Sequence, residues 1–390
     1  MGLIIACLKE VKNNENRVGL TPKGVKELVD RGHKVIVQTS AGEGSGFMNE
    51  EYTDAGAELM DSPEEMAQAC DILVKVKEPI PAEYPLLDLM KGKTIYTYFH
   101  LSGVDKNLTL KLLENQITAV AYETVQDESG KLPLLAPMSE IAGVLAVQYG
   151  AQYLQKKYNG YGVTLGVIRN TDKAHTVIVG GGFVGEISAK TAAGMGGRVT
   201  ILDINPDRVE ELKGILRDWL GENLYQNVEV KVSDAEVLAE AVKDADLLIG
   251  GVLVPGARAP KVVTEEHVKS MKKGAVIVDV AIDQGGCVWG SKATTHDEPI
   301  FEIDGKVFCC VANMPGQVSR QSTQALTSAT LPYLLKMADS GVIESIKTSL
   351  GADGRFAQGI NTMRGKITYK SVAEDLELTD QYAELGTMME

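Results

Sequence analysis

The stretch that most constrains this 390-residue chain is Thr176-Val-Ile-Val-Gly180-Gly-Gly182-Phe183-Val184-Gly185-Glu-Ile-Ser-Ala-Lys. An apolar run reads as a buried strand, G-x-G-x-x-G follows, and helix-period residues come next. Each spaced glycine answers a different demand. Gly180 permits a tight turn, Gly182 lets backbone approach a pyrophosphate, and Gly185 lets helix and strand pack closely. The helix start, with Phe183 and Val184 in its first turn, presents unpaired N–H groups and a positive dipole end to phosphates. A glycine-rich turn alone is weak, since such turns are common. Here Asp203 closes the next apolar run, 18 residues beyond Gly185, where a ribose-binding carboxylate belongs. An acid there repels a 2′-phosphate, so the pattern favours NAD over NADP. Arg208, five residues on, is a cation that would suit a 2′-phosphate, although such an arginine is more often a helix-surface charge.

That unit sits in a longer alternation. Strands read at Gly2 to Leu8, Lys34 to Gln38, Asp71 to Val76, Thr94 to Leu101 and Ala119 to Ala121. Thr21-Pro22 opens a helix through Val29, and Ser62-Pro-Glu-Glu opens another through Ala69. Ser139, as a cap, begins a helix running to Lys157, a natural rigid connector. A second series follows, with strands at Thr176 to Val179, Arg198 to Leu202, Val228 to Val232, Leu247 to Val252 and Ala275 to Val280. A hairpin turns around Asp304-Gly305, and a helix from Ser322 to Met337 is expected to break at Pro332. Strands alternating with helices imply α/β architecture with doubly wound parallel sheets.

Composition narrows the function. Acidic side chains outnumber basic ones, 53 to 39, for a net charge of −14, and no Lys/Arg cluster offers a face to phosphate, so nucleic acid is excluded as a partner. With 44% apolar residues the chain is no disordered segment. Forty glycines against 6 Phe, 2 Trp and 13 Tyr suit a turn-rich α/β protein better than a β-sandwich. The five cysteines, Cys7, Cys70, Cys287, Cys309 and Cys310, are scattered without CxxC spacing, so neither a disulfide framework nor a metal site is expected. The opening MGLIIACLKE has no signal-peptide pattern, and Ala6 breaks the myristoylation pattern. No run reaches about 18 apolar residues. A cytoplasmic protein without a membrane partner is the expectation.

Chemistry-bearing residues stand at strand ends. Arg17 follows the first strand, Lys77 ends Leu73-Val-Lys-Val-Lys77-Glu-Pro, and His100 ends Ile95-Tyr-Thr-Tyr-Phe-His100. In parallel sheets the crevice beyond the carboxyl ends of strands is the usual ligand site. Arginine's fork and lysine's compact charge suit a small carboxylate. Histidine is the side chain that titrates nearest neutrality and suits acid–base work. Taken singly, a cation at a strand end is more often a solvated surface charge, and a lone histidine is more often structural. In the second half, Asp283 precedes Gln-Gly-Gly in a loop where a nicotinamide would lie. Asp279, in an apolar run, is equally suited to capping backbone. Ala312-Asn313-Met314-Pro follows another strand.

Together these stretches, with Lys12-Asn-Asn-Glu-Asn-Arg17, Pro137-Met-Ser139-Glu and Gly251-Val-Leu-Val-Pro-Gly256, resemble the family of alanine dehydrogenases and transhydrogenase NAD-binding subunits over nearly the whole chain. The resemblance implies two Rossmann-like domains flanking a cleft and joined by long helices. Residues 1–135 plus about 310–390 would form the substrate domain, and about 136–309 the NAD-binding domain. It implies that Arg17, Lys77 and Asn313 bind substrate, that His100 is the acid–base group and that Asp283 organises the reacting centre. Ser139, Ser233, Val252, Leu253, Val280, Asn313 and Met314 fall where the family contacts its cofactor. The implied reaction is NAD-dependent interconversion of L-alanine with pyruvate and ammonia, in a homohexamer. An NADH-binding transhydrogenase-type subunit, another amino-acid dehydrogenase and an inactive NAD sensor are the alternatives. The Gly166-to-His175 segment departs from the family by lacking a glycine-rich stretch, and Ser319 stands where proline is commoner.

Overall fold

The structure is a computed structural model that describes residues 2–252, 258–352 and 355–389, which divide into two units: 2–138 with 316–389, and 139–252 with 258–315. The first unit opens with β1 (Ile4–Cys7), β2 (Lys34–Gln38), β3 (Glu58–Met60), β4 (Ile72–Val74), β5 (Thr94–Thr97) and β6 (Thr118–Ala121). They pair in parallel in the order β6-β5-β4-β1-β2-β3. Strands β4, β5 and β6 are buried at every position, because helices cover both faces of such a sheet. Ala6, Leu73, Ile95 and Ala119 of the strands meet Met66, Leu87, Leu108 and Leu112 of the helices in one core. The helix starts follow local rules. Thr21 accepts the Gly24 N–H ahead of Pro22–Asp30, and Ser62 accepts the Glu65 N–H ahead of Pro63–Ala69, each with proline in the first turn.

The chain then builds the second unit from β7 (His175–Val179), β8 (Arg198–Asp203), β9 (Val228–Val232), β10 (Leu247–Gly250), β11 (Val276–Asp279), β12 (Ile300–Ile303) and β13 (Lys306–Cys309). Their order is β12-β13-β11-β10-β7-β8-β9. Leaving out β12, this is the doubly wound order 3-2-1-4-5-6, with its switch point between β7 and β10. Asp304 and Gly305, at φ 49° and 71°, turn the β12–β13 hairpin, the conformation that matches strand twist. The chain then returns to the first unit, where β14 (Ile360–Met363) pairs antiparallel with β6, and β15 (Lys366–Ile367) with β14. Both sheets are therefore mostly parallel, each with an antiparallel edge. All five cysteines are free and buried.

Two helices depart from expectation. The connector runs Ala136–Tyr153, so Ser139 lies inside its first turn and is not its cap. Pro137 is the reason an earlier start is tolerated: in a first turn its missing N–H has no partner to lose. The carboxyl end stops at Tyr153, ahead of a separate turn at Lys156–Tyr158. The helix Ser319–Ser340 passes through Pro332 unbroken. An interior proline costs about 3 kcal/mol. Burial of Leu326, Leu334, Leu335 and Met337 along the same helix contributes about 1.5–3 kcal/mol each, which outweighs it. Strands β5 and β10 also end earlier than read, at Thr97 and Gly250.

Candidate active site

Strands β1, β4 and β5 lie side by side, with Cys7 opposite Val74 and Val74 opposite Tyr96. Their carboxyl ends deliver Arg17, Lys77 and His100 to one edge of the first sheet, where parallel sheets take ligands. Arg17 is 2% exposed. Its Nε and Nη2 donate to the two Glu15 carboxylate oxygens at 2.7 and 2.5 Å, and Nη1 donates to Met138 Sδ at 3.0 Å. Burial opposes the guanidinium charge, but Glu15 prevails and raises the Arg17 pKa.

Lys77 is 7% exposed, and its ammonium has no hydrogen-bond or ion-pair partner among the described residues. Its backbone is held from below. Glu10 Oε1 accepts the N–H groups of Val76 (2.6 Å) and Lys77 (3.4 Å). Glu10 Oε2 accepts from Lys75 Nζ at 3.2 Å, and the same ammonium donates to Glu83 at 2.8 Å. One buried cation thus fixes two carboxylates, and one of these fixes the chain at Lys77. Burial raises the Glu10 pKa, with Lys75 acting against it.

His100 is not on strand β5 but three residues past it, in the left-handed region at φ 47°. That conformation costs about 1–2 kcal/mol for a residue with a Cβ. Glu123, two residues past β6, stabilises it by accepting the N–H groups of Phe99 (3.2 Å) and His100 (2.6 Å). The imidazole stacks on Tyr98 at 5.6 Å, with its Nδ1 4.0 Å from Glu123. Tyr98 is tied in turn to the Leu134 carbonyl at 2.5 Å.

In the second unit the three glycines separate by role. Gly180 has φ 102°, and a Cβ there would stand 2.8 Å from the Gly251 carbonyl oxygen, across the switch point. A Cβ on Gly185 would stand 1.9 Å from the Gly180 carbonyl oxygen. A Cβ on Gly182 would meet nothing within 4 Å. The fold requires the first two glycines and not the third, whose open approach at the start of helix Phe183–Gly194 fits a pyrophosphate. Asp203 Oδ2 accepts the Gly181 N–H at 2.7 Å, setting a carboxylate against the loop. Arg208 is no solvated surface charge: Nε donates to the Gly181 carbonyl and Nη2 to Glu186, both at 2.7 Å.

Apart from Ser139, which lies in the connecting helix, the remaining positions follow strand ends of this second sheet. The Ser233 N–H donates to the Asp203 carbonyl at 2.8 Å. Val252 follows β10, and Leu253 lies outside the described residues. Ser139 stands one turn before Gly143, whose Cα packs against Val184 and Ile187 at the start of the loop helix. Val280 and Asp283 lie in the short turn Val280–Gln284, with Asp283 exposed. Asp279 is wholly buried and accepts the N–H groups of Ala281, Cys287 and Val288, which makes it a backbone cap. Asn313 has φ 58° and its carbonyl meets His296 Nε2 at 3.4 Å, next to buried Met314. Among the described residues no cluster is arranged to hold a metal ion, and no helix is long and apolar enough to cross a membrane.

Glu10, Glu15, Glu78, Glu123, Tyr98 and Met138 escaped the sequence reading. The signal was present, because a carboxylate lies near each cation in the strand-end loops, but most of the pairings join positions dozens of residues apart.

Two family models match, described as the N-terminal domain of alanine dehydrogenase/PNT over residues 6–142 and the C-terminal domain over 146–370. The chain is 46% identical over 376 residues to the alanine dehydrogenase of Mycolicibacterium smegmatis, covering 96% of this chain and 97% of that one. It is 47% identical over 377 residues to that of Bacillus subtilis, covering 96% and 95%. A solved L-alanine dehydrogenase superposes with TM-score 0.86 at 43% identity, covering 96% of this chain and 99% of the other. A transhydrogenase from Sinorhizobium meliloti, at 23% identity and TM-score 0.74 over 94% and 99% of the two chains, shares the fold.

Proposed function

The chain belongs to the alanine dehydrogenase/PNT family, and from that premise we propose that it interconverts L-alanine and pyruvate with NAD. The balanced reaction is L-alanine, NAD+ and water to pyruvate, ammonium, NADH and a proton. The observation that carries the reading is the presence of Arg17, Lys77 and His100 together at three adjacent strand ends of the first unit. A subunit that only carried NADH, or a sensor, has use for the second unit's loop alone.

The first unit is the substrate domain in this reading and the second the cofactor domain. Gly180, Gly182, Phe183, Val184 and Gly185 would take the pyrophosphate and Asp203 the ribose, with Ser139, Arg208, Ser233, Val252, Leu253, Val280 and Met314 lining the rest. When bound, NAD supplies the hydride acceptor. Arg17 and Lys77 hold the substrate carboxylate and polarise the carbonyl oxygen that forms. His100 takes a proton from the attacking water and returns one to the departing nitrogen. Asp283 and Asn313 orient the reacting centre.

The test follows NADH consumption with ammonium and a panel of 2-oxo acids. Ammonium-dependent turnover of pyruvate, with larger 2-oxo acids rejected, is the expected outcome. Tight NADH binding without turnover points to a hydride-transfer subunit or a sensor. A cytoplasmic homohexamer is the assembly the family resemblance supports, and sedimentation velocity measures it.

A further inference from the structure

Among the described residues, Glu10, Glu15, Glu78 and Glu123 lie near the three strand ends of the first unit, and all but Glu78 have both oxygens occupied by protein donors. Glu15 holds the Arg17 guanidinium, Glu10 holds Lys75 and the backbone of Val76 and Lys77, and Glu123 holds the backbone of Phe99 and His100. Glu78 differs. It is 6% exposed, its Oε1 pairs with Lys12 Nζ at 2.5 Å, and its Oε2 is buried without a hydrogen-bond partner among the described residues. Native proteins pair nearly all such atoms, and an orphan needs a reason. Burial pushes the Glu78 carboxyl up, but Lys77 and Lys12 outweigh it and hold the pKa below the ordinary carboxylate value, with His100 adding to the effect. A charged, buried acceptor therefore stands next to Lys77, whose ammonium is itself without a partner among the described residues.

We propose that Glu78 Oε2 accepts a hydrogen bond from the amino nitrogen of the substrate, the α-amino group in one direction and ammonium in the other. This rests on the alanine dehydrogenase reading and adds to it the group that selects the nitrogen. An amino acid carries opposite charges on the two groups that flank its α-carbon. Arg17 and Lys77 answer the carboxylate, and a site that met only that end would bind a 2-oxo acid as well as an amino acid. Glu78, following Lys77 directly, answers the other end.

The competing account is that Glu78 only anchors Lys12 and its loop. Wild-type turnover of pyruvate with ammonium, measured first, tests the parent reading on its own. Glu78→Gln is then expected to raise the KM for ammonium about tenfold or more, the loss of one hydrogen bond to a charged group, while the KM for pyruvate stays within about twofold. Lys12→Met, at a side chain 40% exposed, removes a charge that competes for Glu78, so its KM for ammonium stays level or falls. Equal increases in both KM values for Glu78→Gln, or a raised ammonium KM in Lys12→Met, overturn the proposal in favour of the anchor. Should Glu78→Gln fail to fold by circular dichroism, the direction of the Lys12→Met shift decides alone.

Discussion

A methyl group added at Gly182 and one added at Gly185 ask opposite questions of one loop. The first enters open space and the second meets the Gly180 carbonyl oxygen at 1.9 Å. Gly182→Ala should therefore keep its melting temperature while its NADH dissociation constant rises tenfold or more, because in the proposed role the methyl would stand where the phosphate approaches. Gly185→Ala should lower the melting temperature by several degrees, at about 2–4 °C per kcal/mol. Thermal denaturation and fluorescence titration of both variants check this, and equal melting losses would refute the distinction. His100→Ala should cut turnover by about 10²–10⁴-fold, the usual range for a lost acid–base group, with NADH affinity unchanged. Weakened NADH binding in that variant would count against the assigned role. The placement of the glycines on a strand-to-helix turn, and of the three residues past strand ends, was legible because those signals are local. Glu123 was not: what identifies it is the backbone of Phe99 and His100, 24 and 23 positions away.

Within elements, β7 carries a titration of its own. Its first residue, His175, is buried, with Nε2 2.8 Å from Thr200 Oγ1 of β8. Burial, reinforced by Arg198, lowers its pKa from 6.5 against the pull of Asp244. The folded protein thus favours neutral imidazole, while the unfolded chain takes up a proton from about pH 6.5 downward. Its stabilisation is complete above that value and is lost as the pH falls through the depressed folded value. The melting temperature should decline as the pH falls below about 6.5, and His175→Gln should flatten that decline. Parallel declines in wild type and variant would remove His175 as the cause. Strands β7 to β11 were readable to within about two residues because each is a short apolar run bounded by turns. Strands β14 and β15 were not, since Ile360-Asn-Thr-Met is short and half polar and becomes a strand only through its partner β6.

At the scale of the molecule, ligand and fold are linked. NADH at a hundred times its dissociation constant should stabilise the folded state by about 2.7 kcal/mol. Hydrogen exchange should then slow in peptides spanning Gly180–Gly185 and Asp203, and uniform slowing across both units would argue for a different site. The alternation of strands and helices made the α/β architecture and its two sheets legible. The antiparallel closure of the first sheet was invisible to periodicity, because the Thr362 hydroxyl reaches the Ile117 carbonyl across 245 positions of sequence. That span has a consequence for how the protein is made. Residues 139–252 and 258–315 of the second unit lie almost consecutively in the chain, so that unit can close once they have been synthesised. The sheet that carries Arg17, Lys77 and His100 begins first, yet the edge of β6 stays uncovered until β14 has been synthesised. Until then it is an open template for another chain. The half of the molecule proposed to hold the substrate is begun before the other half and completed after it.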